Sequence, residues 1–186
     1  MRQSDEYLLG LAVQGDTACF GEVTERWEQR IFHFIFRYVG SREEARDLTQ
    51  DTFAKAFQNL GRLSDTARFS SWLYTIALNE CRMRFRRQRR VQQLSLEDEP
   101  AVRQRLVSAD SSPEDRAAQS QQVTRLRLAL GRLPEEQRAV ILMKQYQELK
   151  FHEIAEVIDV PLSTVKSRMY LGLKTLRRLM EDADEM

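Results

Sequence analysis

The stretch that decides the fold of this chain is residues 151–176, which read FHEIAEVIDVPLSTVKSRMYLGLKTL. Apolar residues recur there at helical spacing in two runs, and a short turn at 159–162 separates the runs. The second run begins with hydroxyl and cationic side chains on its outer face: Ser163, Thr164, Lys166, Ser167 and Arg168. Side chains at that end of such a helix reach base edges and phosphates in the DNA major groove. The pattern predicts a DNA-binding helix-turn-helix in preference to a helical hairpin with a solvated polar face.

The N-terminal half has the apolar spacing of a helical bundle. A first long helix is predicted to end at Gly40, and Ser41, with a glutamate three positions later, begins the next helix through a capping box. That second helix is predicted to stop at Gly61, and a third long helix begins at Phe69. A short additional helix is expected at residues 7–14. No alternation typical of strands is visible, so the fold class is predicted to be all-α.

A polar joint divides the chain. Residues 91–112 lose the helical periodicity and carry proline, serine and acidic residues, a composition typical of a linker. We therefore expect two small helical domains joined by a flexible linker. The predicted boundaries are 1–91 for the first domain, 92–112 for the linker and 113–186 for the second domain.

Composition argues against several classes of protein. Cys19 and Cys81 are the only cysteines, and they lie far apart with no second ligand at metal-binding spacing. His33 and His152 are isolated, and no serine or cysteine has a candidate base partner. No segment reaches the ~18 apolar residues of a membrane span. We expect a reduced, cytoplasmic protein without metal, cofactor, small-molecule substrate, catalytic residue or membrane insertion.

A second cationic surface is indicated near the middle of the chain. The formal net charge is only +1, so a nucleic-acid surface requires locally concentrated charge. Six arginines provide it: Arg82, Arg84, Arg86, Arg87, Arg89 and Arg90. Four of them, Arg82, Arg86, Arg89 and Arg90, recur along one helix face and form either a phosphate track or a solvated helix end. The amide of Asn79 either bonds a base edge or has its hydrogen bonds satisfied within the helix. Phe69 and Trp72 have the size to stack on bases, although Trp72 is better explained as core.

An acidic segment precedes that surface. Residues 47–53 read DLTQDTF, in which Asp47, Gln50 and Asp51 share one exposed side. Such a side suits a partner with a basic surface. By spacing alone, however, a solvated helix face explains it better.

In this order, these segments resemble those of a bacterial extracytoplasmic-function (ECF) sigma factor, the small two-domain class of RNA polymerase specificity subunit. Residues 47–53 are similar to the region 2 segment that docks on the clamp helices of the largest polymerase subunit. Residues 69–79, FSSWLYTIALN, resemble the segment that captures the melted −10 strand. Residues 133–143 and 153–168 resemble region 4, whose helix-turn-helix reads the duplex −35 element.

The resemblance implies a role for individual residues. Contacts with core polymerase are implied for Asp47, Gln50 and Asp51. Contacts with the single-stranded −10 element are implied for Leu63, Phe69, Asn79, Arg82 and Arg86. Contacts with the duplex −35 element are implied for Lys144, Ser163, Thr164, Lys166, Ser167 and Arg168.

The resemblance also implies partners. These are core polymerase, through its clamp helices and flap region, promoter DNA, and an anti-sigma factor able to hold the chain at the inner membrane. Two other interpretations stay open at the level of sequence. One is a stand-alone helix-turn-helix regulator in which residues 1–90 serve as an effector or dimerisation domain; such a regulator requires neither residues 47–53 nor the arginine run. The other is a helical interaction protein.

Overall fold

Helices arranged in two units make up the part of the chain that the structure describes. The computed structural model describes residues 3–94 and 121–182. The N-terminal unit contains α1 (Asp5–Val13), α2 (Thr17–Val39), α3 (Arg42–Gln58) and α4 (Phe69–Leu94). The C-terminal unit contains α5 (Gln121–Arg132), α6 (Glu135–Tyr146), α7 (Phe151–Ile158) and α8 (Leu162–Asp182). The described ranges contain no strand, so the all-α prediction is confirmed. None of the helices in these ranges combines the length and apolar character needed to cross a bilayer.

The predicted division into domains depends on residues that are only partly described. Helix α4 continues through Leu94, and the remainder of the predicted linker at 92–112 lies outside the described residues. The boundaries therefore stay a prediction.

Local sequence signals set several helix ends in the N-terminal unit. Gly40 ends α2 in the left-handed conformation, with φ 84°, and its N–H donates to the carbonyl of Phe36. Ser41 then begins α3, because its Oγ accepts the N–H of Glu44 at 3.3 Å. Ser4 caps α1 in the same way through the N–H of Tyr7 at 3.2 Å. The short first helix therefore begins at Asp5, two residues before the predicted start.

The predicted end of α3 is wrong by a few residues. The helix stops at Gln58, and Gly61 lies inside a short 3-10 helix, Leu60–Arg62. Asn59 explains the earlier stop, because its side-chain amide donates to the carbonyl of Lys55 at 2.8 Å and satisfies the helix end locally. A second 3-10 turn, Thr66–Arg68, leads into α4.

Aromatic packing holds α2 against α4 in the N-terminal unit. Phe34 meets Tyr74 edge to face, with ring centroids 5.3 Å apart, and both rings are almost fully buried. Trp27 contacts Phe69 at 5.6 Å at the start of α4, and its indole N–H donates to Asp5 of α1 at 2.8 Å. These contacts place the N-terminal end of α4, and the loop before it, in a defined position.

A tight turn sets the angle between α7 and α8. Asp159 adopts a left-handed conformation, with φ 52°, which a short polar side chain tolerates. The N–H of Val160 donates back to Ala155 at 3.2 Å and closes the end of α7. Behind the turn, Val165 and Met169 on α8 are buried in the core of the C-terminal unit. The other face of α8 is therefore left towards solvent.

Candidate nucleic-acid and polymerase interfaces

The start of α8 presents the side chains expected to reach duplex DNA. Ser163, Lys166 and Ser167 are exposed, whereas Thr164 is half-buried and its carbonyl accepts the hydroxyl of Ser167 at 3.0 Å. Arg168 is held more firmly, because its Nη2 lies 2.8 Å from the carboxylate of Glu136 on α6. This geometry is that of a helix whose N-terminal turn can enter a groove while its buried face stays in the core.

Lys144 lies beside the same helix pair. Its Nζ donates to the carbonyl of Leu149 at 3.2 Å and stands 5.2 Å from the ring centroid of Phe151. The side chain therefore connects α6 to the start of α7 while remaining half-exposed. A phosphate contact from Lys144 stays a prediction, and it requires only the free donors of the ammonium group.

Residues assigned to the melted strand differ in exposure. Arg82 is half-buried and its Nε donates to Glu135 Oε1 at 3.0 Å. Asn79 and Arg86 are exposed on α4, and the Nε of Arg86 donates to the carbonyl of Arg82 at 3.4 Å. Leu63 and Phe69 retain only 8% and 2% of their exposure, so neither offers a stacking face in this conformation. These two residues pack beneath the loop and support it. Their direct contact with a DNA strand stays a prediction.

A cavity of about 210 Å³ opens between this loop and α4. Leu63, Arg68, Ser71, Trp72 and Thr75 line it, together with Glu156 from α7. Trp72, expected to be core, does pack partly against the core and also forms part of this wall. Arg68 and Glu156 were not singled out from the sequence. The cationic loop beside a helix start was a usable signal for Arg68, but no local pattern signals that Glu156 lies there.

The acidic side of α3 lies on the surface of the N-terminal unit. Asp47, Gln50 and Asp51 are all exposed. Leu48, Thr52 and Phe53, which alternate with them, are buried, and the hydroxyl of Thr52 donates to the carbonyl of Leu48 at 2.6 Å. The buried set fixes the rotation of α3, so the two carboxylates and the amide face outwards together.

The cysteines offer no reactive thiolate. Burial raises the pKa of the Cys81 thiol well above its ordinary value, and Cys81 is completely buried. Burial and the neighbouring carboxylate of Asp16 raise the pKa of Cys19 as well. Both thiols therefore stay protonated near neutral pH.

Comparisons with known proteins identify the family of both helical units. Family models described as Sigma-70 region 2 and Sigma-70, region 4 match residues 23–91 and 124–176. The chain is 31% identical over 169 residues to the ECF RNA polymerase sigma factor RpoE of Cereibacter sphaeroides, covering 89% of this chain and 88% of that protein. It is 28% identical over 173 residues to the ECF RNA polymerase sigma factor SigW of Bacillus subtilis, covering 91% and 92%.

The fold is shared with a solved structure. The sigma factor RpoE, in its complex with the anti-sigma factor NepR from Bartonella quintana, aligns with a TM-score of 0.73 at 22% identity, covering 87% of this chain and 96% of that chain. The order of the two matched regions excludes the stand-alone regulator, since such a regulator has no need of a region 2. The resemblance inferred from the motifs is thereby confirmed: the chain belongs to the ECF class of sigma-70 family factors, which direct core RNA polymerase to promoters and initiate transcription.

Proposed function

We propose that this sigma factor divides promoter recognition among three surfaces. The start of α8, with Lys144 beside it, reads the duplex −35 element. The loop before α4, and α4 itself, hold the melted −10 strand. The acidic side of α3 docks on the clamp helices of core polymerase, and the C-terminal unit meets the flap region. Residues 1–91 and 113–186 are the corresponding domains, and 92–112 spans between the two DNA elements.

One observation carries this proposal: the cationic and amide groups of α4 and α8 lie on two different helical units of the described chain. A chain with both surfaces is suited to DNA that is duplex at one site and unpaired at another. Arginine and lysine contacts to phosphates provide most of the affinity in such complexes, and base contacts provide specificity. Asn79 carries an exposed amide on α4 beside Arg82 and Arg86, which suits it to a base edge.

The polymerase is needed for strand capture. Extracting a base from the stack costs a few kcal/mol, which one amide and a few half-solvated arginines do not offset alone. The chain supplies binding groups, and we assign it no catalytic residue and no cofactor; the chemistry belongs to core polymerase.

An anti-sigma factor is the proposed regulator. The support is the structurally similar sigma factor RpoE, whose solved complex contains the anti-sigma factor NepR. Regulation of this kind places the chain in the cytoplasm, and a membrane-anchored anti-sigma factor would hold it at the inner membrane.

Substitution of Asn79 by alanine tests the −10 assignment. The N79A variant should reduce promoter opening about tenfold, because a base contact made only by the unpaired strand is lost. Binding to core polymerase should be unchanged, since Asn79 is exposed and alanine favours the helix. Permanganate reactivity of unpaired thymines measures opening, on a promoter at which the wild-type holoenzyme initiates.

The matched control is Gln58→Ala, which removes an exposed amide from α3 and should open the promoter normally. Loss of core binding by the N79A variant would make Asn79 a structural residue. Normal opening by that variant would remove Asn79 from the −10 surface.

A further inference from the structure

Helix α8 packs closely against the first turns of α6. A Cβ atom at Gly172 would lie 2.8 Å from Ile141 Cδ1 and 3.1 Å from Gln137 Cβ, so the two helices approach here at a separation that glycine permits. Gln137 follows Glu136 in the chain, and Arg168 precedes Gly172 by about one helical turn. The packing therefore brings the side chains of Glu136 and Arg168 within reach of each other.

Arg168 occupies the edge of α8 that faces α6. Val165 and Met169, beside it on the helix, are buried, whereas Lys166 is exposed. Arg168 Nη2 lies 2.8 Å from Glu136 Oε2, and the arginine side chain keeps 21% of its exposure. The guanidinium is therefore held towards α6 and away from the side of α8 that would enter the groove.

The neighbouring cation has no such partner. Lys166 is exposed, and no ion pair is found for it among the described residues. Its ammonium group can contact DNA without breaking an interaction within the protein. Two cations assigned to the same groove therefore differ in what each must give up on binding.

Glu136 has two separate effects. It lies in the first turn of α6, where a carboxylate is favoured by the positive end of the helix dipole. That stabilising effect requires no contact with α8. The side chain of Glu136 also keeps 61% of its exposure while it is paired with Arg168. This ion pair is the property that bears on DNA binding.

Binding of Arg168 to DNA exchanges one partner for another. An exposed ion pair contributes little to stability, whereas a bidentate contact with the O6 and N7 atoms of guanine is the stronger interaction. A single contact with a phosphate is screened by salt and gains about as little as loss of the carboxylate costs. Arg168 is therefore expected to leave Glu136 for a guanine edge, and to stay with Glu136 where no guanine is presented.

We propose that Glu136 sets the strength of −35 recognition: it holds Arg168 in the free chain and releases it only to a guanine of the −35 element, so that the net contribution of this base contact is reduced. This inference rests on the proposed assignment of the start of α8 to the −35 duplex. It adds the base that Arg168 reads, and a residue outside the reading helix that limits the contact. Glu136 is a positioning residue, because it acts on the DNA through Arg168.

Removal of the carboxylate without a change in side-chain size tests the proposal. The G·C pairs of the −35 element are replaced one at a time in a promoter at which the wild-type holoenzyme initiates, and transcription is measured at limiting holoenzyme. E136Q should raise the ratio of transcription from the intact promoter to that from the substituted promoter by about twofold to fivefold. The increase should occur at the base pair at which R168A loses discrimination. Weakened packing of α8 would lower this ratio, so a merely structural role of Glu136 predicts no increase.

Three variants serve as controls. E181Q removes the carboxylate of the Arg177–Glu181 pair, 2.7 Å apart and further along α8, and should keep the wild-type ratio. E136Q/R168A should equal R168A, because Glu136 is proposed to act through Arg168 alone. E136Q/K166A should combine the gain from E136Q with the loss from K166A, since Lys166 has no ion pair with Glu136.

The outcomes distinguish this inference from the proposed function. If R168A loses discrimination at a guanine while E136Q equals wild type, Glu136 does not limit the contact and the inference is refuted. A lower ratio for E136Q would also overturn it, since the carboxylate would then hold Arg168 in its reading position. A gain that persists in E136Q/R168A would mean that the carboxylate repels DNA in general, which is equally incompatible. The proposed function fails separately, if K166A and R168A both discriminate the promoters as well as wild type.

Discussion

Replacement of Asp47 and Asp51 by arginine should abolish assembly with core polymerase. Both carboxylates are exposed one turn apart on α3, and the structure gives neither an ion-pair partner among the described residues. The fold should therefore tolerate the change. The proposed partner surface on the clamp helices is basic, so the reversed charges would meet like charges at a cost of several kcal/mol, about 100-fold or more in Kd. Titration of labelled variant with core polymerase measures this loss, and transcription should disappear with it.

The control for this double variant is E25R/E28R on α2. It makes the same change in net charge at exposed acids on another helix of the same unit. It should bind core polymerase as the wild type does. An unchanged Kd for D47R/D51R would remove α3 from the polymerase interface and leave its acidic side as a solvated face.

Loss of Lys166 or Arg168 should weaken −35 recognition by about 1–3 kcal/mol for each base contact removed. Lys166 is exposed, so alanine there removes only the DNA contact. Arg168 is paired with Glu136 at 2.8 Å in the free chain. Part of the free energy of its DNA contact is therefore offset by the cost of breaking that ion pair. We therefore expect the larger effect from Lys166→Ala. Transcription from matched promoters with intact and mutated −35 elements measures the effect of each substitution.

The diagnostic result is non-additivity between protein and promoter. A variant that has lost its base contact should show little further loss of transcription when the corresponding base pair of the promoter is changed. Lys174, about two turns further along α8, is also exposed, and Lys174→Ala should retain the wild-type dependence on the −35 element. If both Lys166→Ala and Arg168→Ala discriminate the two promoters as well as wild type, α8 is not the reading helix.

Sequence reasoning was most successful where the physics is local. Gly40 and Ser41 mark a helix end and a helix start through backbone conformation and capping, which depend on neighbouring residues alone. The same holds for the turn at Asp159 and for the outward side of α3, which follows from the spacing of its buried residues. The end of α3 was misplaced because Asn59 satisfies the helix end before Gly61 is reached.

Tertiary contacts between the units were beyond such reasoning. Arg138 has the appearance of an ordinary polar residue in an amphipathic helix, yet it is buried against Tyr38, which lies 100 positions earlier in the chain. The Arg68–Glu156 pair and the cavity it borders likewise depend on how two helical units pack. Periodicity identifies which face is apolar, but it does not identify the partner of that face.

As a sigma factor, this chain gives core polymerase its promoter specificity. Run-off transcription on fragmented genomic DNA of the source organism, with and without the protein and with start sites mapped by sequencing, tests it most directly. We expect discrete new start sites that share a −35 and a −10 element and appear only when the protein is added to core polymerase. No new start sites, together with duplex binding by the protein alone, would contradict it.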